Sequence, residues 1–379
     1  MSSTLKNFFI SALEKRMQEN SLRSLKGTSP SIDFTSNDYL GLARSTELHN
    51  LVLIKSNHLQ LKNNGATGSR LLSGNSLYTE EVEGKLSKIF KGEAALIFNS
   101  GYAANLGILS SIPQRGDTVI YDELAHACIK DGARLSLADR FSFKHNDLND
   151  LEQKLKRGKG KIFIAVESIY SMDGDMCPLT ELTVLAEKYD ATIILDEAHG
   201  TGVFGENGSG LAVSLRLENK IGVRMYTFGK AMGCHGACVV GSKELIQYLI
   251  NFSRPFIYTT ALPPHNIATI DCAFEFLSEN LNLQRQLKDK IDLFSSSTDS
   301  MRTIKSETAI QAIVIPGNEN VKKISSYLQK QNFDVRPILS PTVLQGSERL
   351  RICLHTYNSN DEIIQLSQAL IESVQTIAV

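Results

Sequence analysis

Between residues 4 and 25 the apolar residues Leu5, Phe8, Phe9, Ala12, Leu13 and Met17 recur three and four positions apart. That period predicts an amphipathic helix serving as a packing arm. Residues 31–41 (SIDFTSNDYLG) are polar and turn-rich, which predicts an ordered connection. Short apolar runs then follow at 94–98, 117–121, 161–167 (KIFIAVE), 191–196 (ATIILD), 223–228 and 237–240. Helical stretches separate several of them, one Ala-rich stretch after Asn99-Ser100-Gly101 and another at 178–188. Strands alternating with helices over this length predict an α/β layer built on a mainly parallel sheet. Pro263-Pro264 marks a break, a helical region spans about 267–294, and residues 309–379 mix short strands with two helices. The organisation expected is an N-terminal helical arm over 1–45, a large domain over 46–265, and a smaller α+β domain over 266–379 that includes a connecting helix.

Composition narrows the setting. At roughly 150 residues per domain, 379 residues allow about two to three domains. Lys and Arg total 40 against 41 Asp and Glu, so the net charge is -1. A balanced chain lacks the clustered cations that bind phosphate backbones, which argues against a nucleic-acid partner. The six Cys form no CxxC pair, and a reducing cytoplasm is the expected compartment. No secretory leader is legible at the N-terminus, and no apolar run is long enough to span a bilayer. The expectation is a soluble globular enzyme.

Two motifs point to chemistries their surroundings do not support. Gly200-Thr-Gly202-Val-Phe-Gly205 matches GxGxxG, but Asp196-Glu-Ala-His199 lies between the strand and the glycines, and a poor helix follows. The letters DEAH of a helicase box have no GxxxxGK[ST] upstream to hold phosphates. The eight His include no HExxH and no His/Cys set at zinc spacing, so no metal is expected.

What remains is a group of polar residues at strand ends, where open α/β sheets bind ligands. Asp196 ends ATIIL, and His199 follows within the same crevice. A lone Asp there is more often a surface cap, and a lone Lys a solvated charge. Lys230, however, sits in the small-residue turn after 223–228, and a partly buried lysine readily combines with carbonyls. Asn99-Ser100-Gly101-Tyr102 opens a helix with free N–H groups that favour an anion. His126 follows the strand ending at Tyr121 and could stack on a ring, against the alternative of a hydrogen-bonded core histidine. An acid for a ring nitrogen, an amine for an aldehyde and an anion site for a phosphate together describe pyridoxal 5'-phosphate (PLP).

The segments SNDYLGL (36–42), SGYAANLG (100–107), DELAHA (122–127), ESIYSMDGD (167–175), DEAHGTGVFG (196–205) and TFGKAMGCHGA (227–237) carry a resemblance. With YTTALPP (258–264) and SPTV…GSERLRI (340–352), they follow the order and spacing of the α-oxoamine synthases, which the chain resembles over nearly its whole length. The resemblance implies a fold-type-I PLP enzyme: a mainly parallel central sheet in a large PLP-binding domain, and a smaller α+β C-terminal domain. It implies that Lys230 carries the cofactor and acts as general base, that Asp196 pairs with the pyridine nitrogen, and that His126 stacks on the ring as a catalytic and substrate-facing residue. His199 and Ser171 would meet the phenolic oxygen and its surroundings, and Thr227 with the Gly101-Tyr102 backbone the phosphate. Thr259 or Thr260 would reach a phosphate across a homodimer with shared active sites, and Glu167 would support from behind. Arg23 and Thr342 would contact substrate. Of the family's branches, the biotin-pathway one, joining L-alanine to a pimeloyl thioester, fits the motifs best. Glycine C-acetyltransferase and serine palmitoyltransferase chemistry is the alternative. The chain departs from the family's Arg-Pro-Pro-Thr-Val, which leaves Arg336 or Arg349 open as a carboxylate contact, and it carries Cys234-His235 where small or apolar residues are usual.

Overall fold

In a computed structural model that describes residues 3–25, 27 and 31–377, the apolar runs of the sequence become the strands of one large sheet. The chain divides into two units, each taken by itself here. The larger comprises Asn37–Ser171 and Met176–Gln286; the smaller comprises residues up to Ser36, Met172–Asp175 and residues from Leu287 onward. Residues 266–286, grouped in the sequence reading with the C-terminal portion, pack within the larger unit, and the described residues up to Ser36 belong with the smaller one.

In chain order, α1 (Ser3–Gln18) and β1 (Ile32–Asp33) come first, both in the smaller unit. The larger unit continues with α2 (Thr46–His58), α3 (Leu77–Ile89), β2 (Ala94–Phe98), α4 (Gly101–Ser111), β3 (Thr118–Asp122), α5 (Ala127–Leu135), β4 (Asp139–Phe143) and α6 (Leu148–Leu155). Then come β5 (Ile162–Glu167), α7 (Leu179–Lys188), β6 (Ala191–Asp196), α8 (Leu211–Ser214), β7 (Val223–Thr227), β8 (Ala237–Gly241), α9 (Lys243–Phe252), α10 (Arg254–Ile257) and α11 (Pro264–Glu279).

The seven strands lie in the order β2-β8-β7-β6-β5-β3-β4. All neighbours are parallel except β8, which runs antiparallel to both β7 and β2. The central strands are apolar on both faces because helices cover both sides. Val119, Ala165, Ile194 and Met225 join one core, and Ile120, Ile164, Val166, Ile193 and Leu195 join the other. Adjacent residues of one strand thus enter different cores, as the two-residue period of a strand requires. Strand β4 has no counterpart among the predicted strands. It is an edge strand with four exposed residues (DRFSF), so its sequence carries no apolar run.

The helical region expected over 267–294 is two helices. It breaks at Asn280 (φ −124°, ψ 48°), whose side chain donates back to the Phe276 carbonyl, and α12 (Asn282–Ser297) follows. The smaller unit then adds β9 (Thr303–Ile304), β10 (Ile310–Val314), α13 (Asn318–Lys330), β11 (Phe333–Asp334), β12 (Arg336–Ile338), β13 (Arg349–Cys353) and α14 (Asn360–Ile377). Its antiparallel sheet has the order β12-β13-β10-β9, and β1 pairs in parallel with β11. A mainly parallel central sheet with a smaller α+β unit is the architecture expected. The packing arm differs from expectation: α1 forms, but Phe8, Leu13 and Met17 are 66%, 53% and 56% exposed, so among the described residues its apolar side joins no core. Among the described residues no helix is long and apolar enough to cross a membrane.

Candidate active site

Four neighbouring parallel strands end on polar residues at the same edge of the sheet: Asp122 on β3, Glu167 on β5, Asp196 on β6 and Thr227 on β7. Glu167 and Asp196 are paired in register, and both are buried. Asp196 accepts from the Ala198 N–H at 2.8 Å and from the Asn105 amide at 2.6 Å. Burial raises its carboxyl above the usual range, against the Lys230 charge and these two hydrogen bonds. Glu167 accepts the His126 N–H at 2.5 Å. Burial first, and the neighbouring Asp196 charge second, push its carboxyl up strongly.

Lys230 lies in the hairpin that turns β7 back into β8, a connection closed by the bond from Phe228 N–H to the Gly236 carbonyl. Gly233 is required in that loop. Its φ is +63°, and a Cβ there would stand 2.2 Å from the Ala43 nitrogen. The loop is therefore seated directly on the Leu42–Ala43 backbone. From it the half-buried Lys230 Nζ reaches His199 Nε2 at 2.9 Å. His199 Nδ1 lies 2.8 Å from the Tyr39 hydroxyl, which donates to Asn37 Oδ1 at 3.0 Å.

Ser100 caps α4 by accepting the Ala103 N–H, while the N–H groups of Gly101 and Tyr102 meet no acceptor among the described residues. These are the first free donors of a helix N-terminus. Gly101 packs against Met225 and Thr227, which brings this terminus to the end of β7. The Thr227 hydroxyl donates to the Gly236 carbonyl at 3.2 Å. His126 caps α5: its Nδ1 accepts the Cys128 N–H at 3.2 Å, its ring is exposed, and the Tyr102 ring stands edge-on to it at 6.4 Å. Desolvation lowers the His126 pKa, with the Lys230 and Lys130 charges adding to it and Asp196 opposing. Ser171 is half-buried in the connection after β5.

In the smaller unit the Arg23 guanidinium donates to Thr342 Oγ1 at 3.3 Å, both side chains exposed. Arg349 forms a buried ion pair with Asp173, and Arg336 pairs with Asp334 at 2.5 Å. Elsewhere, Thr260 offers its carbonyl to the Asn99 amide at 2.7 Å, so that threonine is tied to the strand end after β2. The Cys234 thiol donates to the Met232 carbonyl and burial raises it, while His235 is exposed. Glu197 of the DEAH run accepts the N–H groups of Leu211 and Ala212, a structural cap for α8.

The structure thus gathers Lys230, Asp196, His199, His126, Thr227, Gly101 and Tyr102 around the strand ends of the larger unit. Sequence reasoning assigned nothing to Asn105 or Tyr39. Asn105 carries a faint signal, a polar residue on the buried face of α4 beside Ala104 and Ile108. The donors fit PLP. Among the described residues a helix terminus offers two unpartnered N–H groups to a phosphate, the Lys230 amine is a partner for an aldehyde, and a buried carboxylate that accepts from neutral donors suits a protonated ring nitrogen.

Comparisons with known proteins agree. A family profile for aminotransferases of class I and II matches residues 29–366. The 8-amino-7-oxononanoate synthase of Emericella nidulans is 39% identical over 372 residues, covering 92% of this chain and 89% of its own. Among solved structures, a serine palmitoyltransferase from S. paucimobilis with bound PLP and myriocin superposes with a TM-score of 0.89 at 25% identity, covering 100% of this chain and 99% of that one. The 8-amino-7-oxononanoate synthase of Francisella tularensis superposes at 0.80 with 28% identity, covering 92% and 99%.

Proposed function

The chain belongs to the class I and II aminotransferase family as a PLP-dependent α-oxoamine synthase, and from that premise we propose that it condenses L-alanine with a pimeloyl thioester. The products are 8-amino-7-oxononanoate, CO2 and the free thiol carrier. The observation that carries the reading is the 39% identity, over 92% of the chain, to a synthase of that name. The family resemblance assigns substrate contact to Arg23 and Thr342, which are hydrogen-bonded to each other within the smaller unit. A pimeloyl chain ends in a free carboxylate, which a guanidinium beside a hydroxyl suits, whereas a palmitoyl chain ends in a methyl group.

When bound, PLP supplies an aldehyde for the Lys230 amine and a ring that accepts the electron pair left at the amino-acid α-carbon. Asp196 would keep the ring nitrogen protonated, and Asn105 with the Ala198 N–H holds that carboxylate in place. Gly101 and Tyr102 would give their N–H groups to the phosphate, with Thr227 beside them. His126, fixed by the Cys128 N–H, would cover one ring face and meet the amino-acid substrate. His199 and Ser171 serve the phenolic oxygen and its surroundings. With PLP bound, the Lys230 amine would take the amino-acid α-proton, and His199 stands within hydrogen-bond reach of that amine. The working form is a homodimer in a reducing cytoplasm, with Thr259 or Thr260 facing the partner's phosphate. The exposed apolar side of α1 and the six free cysteines are consistent with that.

A serine palmitoyltransferase-type reaction is the second reading, favoured by the higher TM-score of 0.89. Backbone likeness at 25% identity says less about a pocket than 39% identity does. The test is CO2 and thiol release with alanine, glycine and serine, each against acetyl, pimeloyl and palmitoyl thioesters. Turnover is expected with alanine and the pimeloyl thioester. Turnover confined to serine with the palmitoyl thioester, or to glycine with the acetyl one, overturns the proposal.

A further inference from the structure

We infer that Cys128 is a positioning residue: its buried thiol joins the Asn105 amide that holds Asp196 to the His126 ring. One side chain thereby aligns the group for the cofactor's ring nitrogen with the group for its ring face. The inference deepens the reading of the site as a PLP centre and rests on it.

The link begins where two helices meet. On α5, Gly132 leaves no room for a side chain against α4: a Cβ there would stand 2.8 Å from Leu109 Cβ and 3.1 Å from the Asn105 carbonyl oxygen. That close approach sets Asn105 of α4 against Cys128 in the first turn of α5, and the two are 0% and 2% exposed. A primary amide carries two N–H donors. One Asn105 Nδ2 proton goes to Asp196 Oδ2 at 2.6 Å, the other to Cys128 Sγ at 3.2 Å. Asn105 Oδ1 meets no donor among the described residues, as in an amide turned wholly toward two acceptors. On the other side of the thiol, Sγ stands 2.9 Å from His126 Nδ1, the atom that also accepts the Cys128 N–H.

The consequence concerns how firmly the two cofactor-facing groups are held. Asp196 is bonded at both oxygens, Oδ1 by the Ala198 N–H and Oδ2 by Asn105. Held by the carboxylate alone, the amide could swing about its own side-chain bonds. A second anchor on a sulfur fixed to α5 removes that freedom, and a site works only while its supporting contacts stay in place. Burial, with the Asp196 charge second, pushes the thiol up to about 12, so it keeps its proton and is no nucleophile. Its work is to accept from the amide on one side and to meet the imidazole on the other. Cys128 lies one residue past the DELAHA segment, where an isolated cysteine reads as ordinary core.

The test strips the full-length protein of PLP and measures the dissociation constant of added PLP by equilibrium dialysis. Cys128→Ala removes the link and should weaken binding about fivefold, the weight of one neutral hydrogen bond. Cys128→Ser supplies a hydroxyl that makes both contacts from a smaller side chain, and should bind within about twofold of wild type. Asn105→Ala breaks the link from its other end and should weaken binding at least as much as Cys128→Ala, which covers a Cys128→Ala protein that fails to fold. Binding within about twofold of wild type in either alanine variant overturns the inference, since one lost hydrogen bond should exceed that. Equal losses in Cys128→Ala and Cys128→Ser overturn it too, because the thiol would then be packing alone. A wild type that binds no PLP would instead defeat the reading of the site. The link is then read from urea midpoints of the PLP-free proteins. Asn105→Ala combined with Cys128→Ala should lose less than the sum of the two single losses, and additive losses overturn the inference.

Discussion

Glu167 and Asp196 face each other in register at the carboxyl ends of β5 and β6, two buried carboxylates on adjacent parallel strands with different work to do. Asp196 receives an amide and a backbone N–H beside the lysine; Glu167 receives the backbone of His126. Their proximity raises the cost of ionising both.

Asp196→Ala should fold, because Asn105 and Ala198 N–H can turn to water entering the vacated space. It should lose turnover by about three orders of magnitude, the scale of removing a group that acts on the electron sink. Steady-state CO2 release together with a far-ultraviolet circular dichroism spectrum checks both halves of this expectation. Activity within about tenfold of wild type would remove Asp196 from the role, being smaller than such a loss allows.

Glu167→Gln tests the other carboxyl. The glutamine keeps an oxygen for the His126 N–H but cannot ionise. Because the folded-state carboxyl is raised, its contribution to stability is complete below the ordinary carboxylate range and is lost as pH rises through the raised value. The variant should therefore gain on the wild type with increasing pH above about 4.5, the ordinary glutamate value. Between that value and the raised one of about 8, the gain should grow by up to about 1.4 kcal/mol per pH unit. Urea midpoints of the PLP-free proteins between pH 5 and 8 measure it, and parallel curves would refute it.

Arg23→Ala should raise KM for the pimeloyl thioester by about tenfold while leaving KM for alanine unchanged, as expected for one lost charge-assisted contact to the far carboxylate. Thr342→Val should act in the same direction and less. Equal effects on both substrates would point to a structural role for the pair.

Asp173→Ala should destabilise the smaller unit by about 3–5 kcal/mol, because it strands the buried Arg349 guanidinium. Asp173→Ala combined with Arg349→Met should recover much of that loss. Thermal unfolding of the single and double variants separates an ion pair held for stability from an arginine kept free for substrate.

Some elements were legible because they are buried on both faces. Strands β5 and β6 read as KIFIAVE and ATIILD, runs that neither a solvated strand nor a loop would carry. Strand β4 was not, since an exposed edge strand needs only backbone pairing with β3, and DRFSF has no apolar signature. The break at Asn280 was also hidden, because apolar residues continue on both sides of it. Lys230, Asp196 and His199 stood out as residues too polar or too reactive for their strand-end positions.

By itself the sequence determined the alternation of strands and helices, the mainly parallel sheet and the residues whose chemistry matches PLP. These are local properties, written in the period of apolar positions and in the side chains that end each run. The tertiary structure decided the partnerships: Asn105 on Asp196, the Glu167 carboxyl under the His126 backbone, and Tyr39 on the imidazole that meets Lys230. Each joins residues far apart in the chain, and a hydrogen bond depends on distance and direction in space, which no single segment encodes.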